Sequence, residues 1–105
     1  MAFDMHFQNR GVKRKEKIDH HEEFIFQLME GDEKYPIANF IWENFYNGPQ
    51  ISTEKSNQLV HELLQFKNES VKHNQFKQIQ SIVDRLTLFF SAAYRNKVSI
   101  MCISD

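Results

Sequence analysis

The sequence predicts a helix-dominated α+β fold of about four helices, with short N- and C-terminal strands paired in a small sheet. Three observations support this prediction: four segments have helical apolar spacing, the two terminal segments alternate apolar and polar residues, and 105 residues suit one domain. We therefore treat residues 1–105 as a single domain, since 41% hydrophobic residues suffice for one core.

The two predicted strands lie near the ends of the chain. In residues 2–8, Phe3, Met5 and Phe7 alternate with polar residues. Residues 97–105 are rich in β-branched side chains and are apolar on both faces, which predicts a strand covered on both sides. Isolated strands leave backbone groups unpaired, so we expect the two strands to pair, in either direction.

The segment between the first strand and the first helix is strongly basic. Residues 9–17 contain five Lys or Arg residues and only one acid, and Gly11 lies near their start. This composition predicts a solvated loop.

The first two helices have recognisable ends. Asp19 followed by Glu22 resembles a capping box, so the first helix is expected to begin at Asp19 and to end at Gly31. Pro36 suits the first turn of a second helix, which the Asn-Gly-Pro sequence at residues 47–49 ends.

The remaining two helices are predicted from a cap and an apolar stripe. Ser52 is a typical N-cap for the third helix. A polar interval over residues 67–74 separates it from the longest helix. The last helix repeats apolar residues at three- and four-residue steps from Phe76 to Ala93.

Composition excludes several function classes. The net charge is −1, so overall charge identifies no partner. A single cysteine cannot form an internal disulfide and suits a reducing compartment. No apolar run approaches the roughly 18 residues of a membrane span, and the N-terminal residues lack the order of a signal peptide. We expect a cytoplasmic protein that does not insert into a membrane.

No residue pattern indicates catalysis. His20 with Glu23, and Glu69 with His73, have helical spacings at which two side chains can reach one metal ion, but neither pair has an obvious third ligand. Cys102 lies in an apolar segment, where a thiol behaves as a small hydrophobe. The sequence therefore predicts no enzyme, no metal and no cofactor.

An acidic block with displaced aromatic residues indicates protein binding. Residues 18–33 contain no Lys or Arg. Phe26 lies about 160° around its helix from Phe24, outside the main stripe. Phe40 lies among the polar residues of the next helix, where it either belongs to the core of a nearly encircled helix or is an exposed anchor. The predicted partner-binding residues are Glu22, Glu23, Phe26, Glu30, Asp32, Glu33, Phe40, Trp42 and Glu43.

The chain also resembles a protein family over most of its length. The resemblance rests on the strand at residues 3–7, the sequence His-Glu-Glu-Phe-Ile-Phe at residues 21–26, Tyr35-Pro36 before an aromatic helix, and the terminal segment 100–105. In these features the chain resembles small bacterial immunity proteins of contact-dependent and polymorphic toxin systems. The resemblance implies a non-enzymatic cytosolic inhibitor that blocks a toxin.

Together these observations predict a non-catalytic binding protein that occludes a basic, nuclease-type toxin domain. An acidic rim would attract a positively charged partner and speed its association. Three alternatives stay open: a self-associating structural or regulatory protein whose terminal strands pair across a homodimer, a nucleic-acid binder that uses residues 10–17, and a metal-dependent enzyme. The sequence argues against nucleic acid, because the basic run has no interleaved aromatic residues.

Overall fold

The computed structural model describes residues 2–104 as an α+β fold in which helices cover one face of a four-stranded sheet. The strands form the antiparallel order β2-β1-β4-β3; they are β1 (Ala2–Asn9), β2 (Val12–Asp19), β3 (Gln50–Ile51) and β4 (Ile100–Ser104). The predicted pairing of the terminal strands is confirmed: β1 and β4 pair antiparallel, with Met5 opposite Cys102. The two-residue strand β3 was not predicted. Asp105, where the predicted terminal strand ends, lies outside the described residues.

The prediction of a basic loop over residues 9–17 is wrong, because most of this segment forms β2. Arg10 and Gly11 have positive φ angles of 52° and 79°, as both central residues of a type I′ hairpin turn require. The strand was concealed because Arg14 and Glu16 occupy the positions opposite the inward-facing Phe7 and Met5. An edge strand tolerates such charges, which also discourage pairing with another sheet.

The helices follow the predicted order, although the first is shorter than expected. Their bounds are α1 (Phe24–Met29), α2 (Pro36–Glu43), α3 (Thr53–Glu69) and α4 (Phe76–Arg95). Before α1, His20–Glu22 form a 3₁₀ turn in which Glu22 Oε1 accepts the Asp19 N–H at 2.9 Å. The Ser52 hydroxyl accepts the Lys55 N–H at 3.2 Å, which confirms the predicted cap. Within residues 2–104, no helix has both the length and the apolar character needed to cross a bilayer.

The hydrophobic core lies between the helices and one face of the sheet. Fully buried side chains from the sheet include Phe3, Met5, Ile18 and Ile100. The expectation that β4 is covered on both sides is wrong, since Met101 and Ile103 are 45% and 56% exposed.

The ends of α3 and α4 define two ends of the molecule. Residues 70–75 join these helices, which lie side by side, so the last turn of α3 and the last turn of α4 point to opposite ends. At one end, which we call the hairpin end, Asn9 Nδ2 donates to Asn96 Oδ1 at 2.9 Å. At the other, the turn end, Lys34 Nζ donates to Glu69 Oε1 at 3.0 Å. The 20 residues of α4 separate the two ends by about 30 Å.

Candidate partner-binding surface

The position of α2 is set by a buried carboxylate from α3. Glu62 is only 2% exposed. Its Oε1 accepts the backbone N–H groups of Ile37 and Ala38 at 3.0 and 2.9 Å. These donors belong to the first turn of α2, which has no partners for them within the helix. The negative charge of Glu62 also suits the positive end of the helix dipole, so α2 begins at a fixed point on α3.

One side chain holds the turn between α1 and α2 against the middle of α2. The Asn39 amide accepts the Gly31 N–H at 3.0 Å and donates to the carbonyl oxygens of Asp32 and Tyr35 at 3.0 and 2.9 Å. Gly31 has a φ of +79°, which glycine adopts without strain. The acidic turn is therefore fixed beside the exposed face of α2.

Three exposed carboxylates surround this contact. Glu30 and Glu33 lie in the turn, and Glu43 lies one helical turn after Asn39. Within residues 2–104, none of these three takes part in an ion pair. Asp32 lies 3.7 Å from the ammonium group of Lys34, which offsets part of its charge. This part of the surface carries a net negative charge.

Two half-buried aromatic side chains flank Glu43. Trp42 stacks on Phe26 with 6.3 Å between ring centroids and 11° between ring planes. Phe40 lies on the other side of α2, and the Lys55 ammonium stands 3.7 Å from its ring centroid. Of the two alternatives for Phe40, the structure favours the core: the half-buried ring packs against the core, and a cation covers one of its faces.

The prediction that Phe26 stands outside the interior is wrong. Its side chain is 1% exposed, and the rings of Trp42 and Phe45 lie 6.3 Å away. A helical wheel identifies the two sides of α1 but cannot show that the segment containing Trp42 and Phe45 covers the second side.

Glu22 was predicted to belong to the partner-binding surface, but it is 6% exposed and is bound to Arg85. The guanidinium donates to both carboxylate oxygens at 2.8 Å and to the Lys17 carbonyl at 3.0 Å. Burial alone would raise the pKa of Glu22, but the hydrogen bonds from Arg85 and from the Asp19 N–H lower it below its ordinary value. Glu22 joins β2 and the 3₁₀ turn to α4 and offers no charge to a partner.

Glu23 is also buried, at 4% exposure, so its predicted place on the surface is wrong. Its Oε2 lies 3.4 Å from Nδ1 of His20. Donor atoms of Asp19, His21 and Glu22 lie within 4.8 Å of one another, but Arg85 already occupies both oxygens of Glu22. This carboxylate is therefore engaged in an ion pair where a metal ligand would need a free oxygen.

The Glu69–His73 pair is also engaged elsewhere. Glu69 accepts hydrogen bonds from the Tyr35 hydroxyl, from Lys34 and from Gln65, which lower the pKa of its carboxyl group to about 2. Nδ1 of His73 accepts the Gln75 N–H at 3.0 Å. The contacts of Lys34 and Tyr35 with Glu69 connect the end of α3 to the residues just before α2, whereas the His73 contact lies within the turn between α3 and α4.

Cys102 is buried in β4, and burial raises the pKa of its thiol to about 12. A thiol in this state is a poor nucleophile near neutral pH.

The structure reduces the predicted site to one surface beside α2. Six of the nine predicted residues are exposed or half-buried; we call them the acid–aromatic surface, and they are Glu30, Asp32, Glu33, Phe40, Trp42 and Glu43. Sequence reasoning missed the two positioning residues, Asn39 and Glu62. Glu62 had a detectable signal, since it lies three residues after Leu59 on the apolar stripe of α3.

Comparison of the chain with protein-family models, with curated proteins and with solved structures finds no match.

Proposed function

We propose that the chain is a non-catalytic protein-binding module that binds a basic protein domain through its acid–aromatic surface. In the form that the family resemblance suggests, it is an immunity protein, and the partner is a nuclease-type toxin domain whose substrate groove is positive because it holds phosphates.

The observation that carries this proposal is that the acidic turn is fixed to α2 and that α2 is itself fixed to α3. Asn39 fixes the turn at Gly31 and Asp32, and Glu62 fixes the first turn of α2. The backbone that carries the carboxylates near α2 is therefore held in place before any partner binds. Preorganised groups lose less conformational freedom on association and retain more of their interaction energy.

The composition of the surface suits a positively charged protein. Glu30, Glu33 and Glu43 are exposed carboxylates that form no ion pair within residues 2–104, so a partner's Lys or Arg residues can reach them. The half-buried ring of Trp42 adds apolar area beside them, and Trp is common among residues that dominate binding energy. Occlusion of a substrate groove needs this complementarity and no chemical step.

The test begins with the open reading frame directly upstream of the gene: if it encodes an exported protein with a C-terminal toxin domain, that domain is co-expressed with the chain, and kinetics with an inactive variant of the domain follow. We expect protection of the cells and a fast, salt-dependent association. Glu30→Lys/Glu33→Lys/Glu43→Lys should slow association by at least tenfold and flatten its salt dependence, because steering depends on these charges.

Glu54→Lys is the matched control, since Glu54 is an exposed acid on α3, outside the acid–aromatic surface. It should leave the association rate within twofold of the original. Equal slowing by the control and the triple variant, or no protection of the cells, would contradict the proposal.

A further inference from the structure

Six exposed basic side chains lie at the hairpin end, on both faces of the edge strand β2: Arg14 lies on the helix side, opposite Phe7, whereas Lys13 and Lys15 lie on the open face of the sheet. They come from the β1–β2 hairpin and from the end of α4, which the Asn9–Asn96 hydrogen bond joins. The guanidinium of Arg14 lies 6.0 Å from the ring centroid of Phe7, which in turn lies 5.2 Å from that of Phe89 in α4. We call this set the hairpin-end basic surface; it comprises Arg10, Lys13, Arg14, Lys15, Arg95 and Lys97.

These cations are not neutralised by the protein itself. The sequence has 13 Lys and Arg residues in all, and none of these six takes part in an ion pair within the described part of the chain. In contrast, Lys34, Lys67 and Arg85 each contact a carboxylate. Glu54 lines a shallow depression with Arg95 and Lys97. Asp4 and Glu16 line another with Lys13 and Lys15, and Glu16 is paired with Arg85. The surface therefore has a large excess of positive charge despite the overall net charge of −1.

Two of the six cations occupy backbone positions that favour glycine. Among residues 2–104, Arg10 and Lys97 are the non-glycine residues with positive φ, at 52° and 56°. Lys97 lies at the left-handed position of a Schellman motif, in which its N–H bonds to the Tyr94 carbonyl at 3.1 Å and the Val98 N–H to that of Ala93 at 3.2 Å. Glycine would adopt either conformation with less strain. A cation at both positions favours a role for the charge itself.

We propose that the hairpin-end basic surface binds the phosphate backbone of a nucleic acid. Lys13 and Lys15 project from the same face of β2, about 6.8 Å apart along the strand, a separation comparable with that of successive phosphates. Neutralised phosphates release counterions, which supplies most of the affinity in binding without sequence preference. The absence of aromatic residues from the basic run argued against base stacking, but phosphate contacts need no stacking.

Phosphate is a better match than an acidic protein for this surface. Protein interfaces bury aromatic or apolar anchors at their centres and contain few Lys residues. Here Lys and Arg predominate, and the large exposed hydrophobic residues along the described hairpin and last turn of α4 are Val12 and Tyr94. The hairpin-end basic surface shares no residue with the acid–aromatic surface, so this inference does not rest on the function proposed above.

The test is fluorescence anisotropy with labelled duplex DNA, single-stranded DNA and RNA between 50 and 200 mM salt. If all six cations contact duplex phosphates, a plot of the logarithm of the association constant against the logarithm of the salt concentration has a slope of about −5. Affinity then falls roughly 10³-fold across this range. The three nucleic acids distinguish a duplex from a single-stranded ligand with the same backbone chemistry.

The decisive variant is Arg10→Gly/Lys97→Gly, which removes two charges and is expected to raise the melting temperature because it relieves strain. It should reduce the duplex slope by about 1.8 and weaken binding about 60-fold at 0.1 M salt, if both residues contact phosphates. Lys72→Gln/Lys77→Gln removes two exposed cations near the turn that joins α3 to α4, and should change affinity less than threefold.

Three results would overturn the inference. They are no binding to any nucleic acid at 50 mM salt, an equal loss of affinity in the two double variants, and binding of polyglutamate as tight as that of nucleic acid of equal charge. The triple Lys variant of the acid–aromatic surface serves as a cross-check. It should slow association of the protein partner at least tenfold and should not weaken nucleic-acid binding, so failure of one proposal is distinguishable from failure of the other.

Discussion

Replacement of Glu62 by Ala should be among the most destabilising single changes on α3. The carboxylate is 2% exposed and accepts two backbone N–H groups at the start of α2. Alanine removes both acceptors and leaves these donors of Ile37 and Ala38 without partners. Ala38 is itself buried, so water cannot readily replace the lost acceptor.

The expected loss follows from the two bonds and one opposing effect. A hydrogen bond to a charged group contributes about 1.5–3 kcal/mol, so two contribute about 3–6 kcal/mol. The unfolding free energy regains part of this, because a buried carboxylate no longer has to be desolvated on folding. We expect a net loss of about 3 kcal/mol, which lowers the melting temperature by about 12–18 °C for a chain of this length.

Urea denaturation followed by circular dichroism measures this loss, with the slope m as a check on two-state behaviour. Glu62→Gln keeps one carbonyl acceptor and should lose only about 1–2 kcal/mol. Gln58→Ala, an exposed site one turn earlier on α3, should change stability by less than about 0.5 kcal/mol.

A loss below about 0.5 kcal/mol for Glu62→Ala would refute the argument that Glu62 anchors α2. The same variant should also weaken partner binding, because it loosens the helix that carries Asn39 and Glu43. Unchanged binding in a destabilised protein would separate the structural role of Glu62 from the proposed function.

Three further predictions concern other groups. Arg85→Ala leaves the buried Glu22 without its partner and should lower the free energy of unfolding by about 2–3 kcal/mol. This figure is below that for a fully buried ion pair because the Arg85 side chain is 37% exposed. Adding Glu22→Gln should recover part of the loss in denaturation experiments. The folded-state pKa of Glu69 is lowered from 4.5 to about 2, so its contribution to stability is full above pH 4.5 and is lost as the pH falls toward 2. Tyr35→Phe should reduce the difference in stability between pH 6 and pH 3, measured by urea titration. An unchanged difference would contradict the hydrogen bond between Tyr35 and Glu69. The Cys102 thiol should react with iodoacetamide at pH 8 at least 100-fold more slowly in the folded protein than in urea, and equal rates would show that it is not buried.

Much of the fold could be predicted because short-range patterns decide it. The apolar alternation of residues 2–8 and the apolar stripe of α4 show which face of each element packs against the core. Ser52 and Pro36 place helix starts through local backbone chemistry. The strand β2 could not be predicted in this way, because its inward positions carry charges that an edge strand tolerates.

The candidate site could be predicted only in part, for a physical reason. The acidic, polar character of the local sequence correctly predicted that the side chains of Glu30, Glu33 and Glu43 are exposed, because no ion pair with a distant residue buries them in the described part of the chain. It misplaced Phe26 and Glu22, because their surroundings come from distant segments: Trp42 and Phe45 cover the ring, and Arg85, 63 residues away, binds the carboxylate.

The amino-acid sequence by itself determined the helix-dominated class, the two terminal strands and the concentration of acids near α1. Those properties depend on periodicity and composition within about twenty residues. Tertiary structure alone decided which charges remain free. It buried Glu22 against Arg85, joined α2 to Glu62, and brought the hairpin cations beside the end of α4. The physical reason is that charge is screened or left exposed by whichever groups lie near it in space, and most of those groups are distant in the chain.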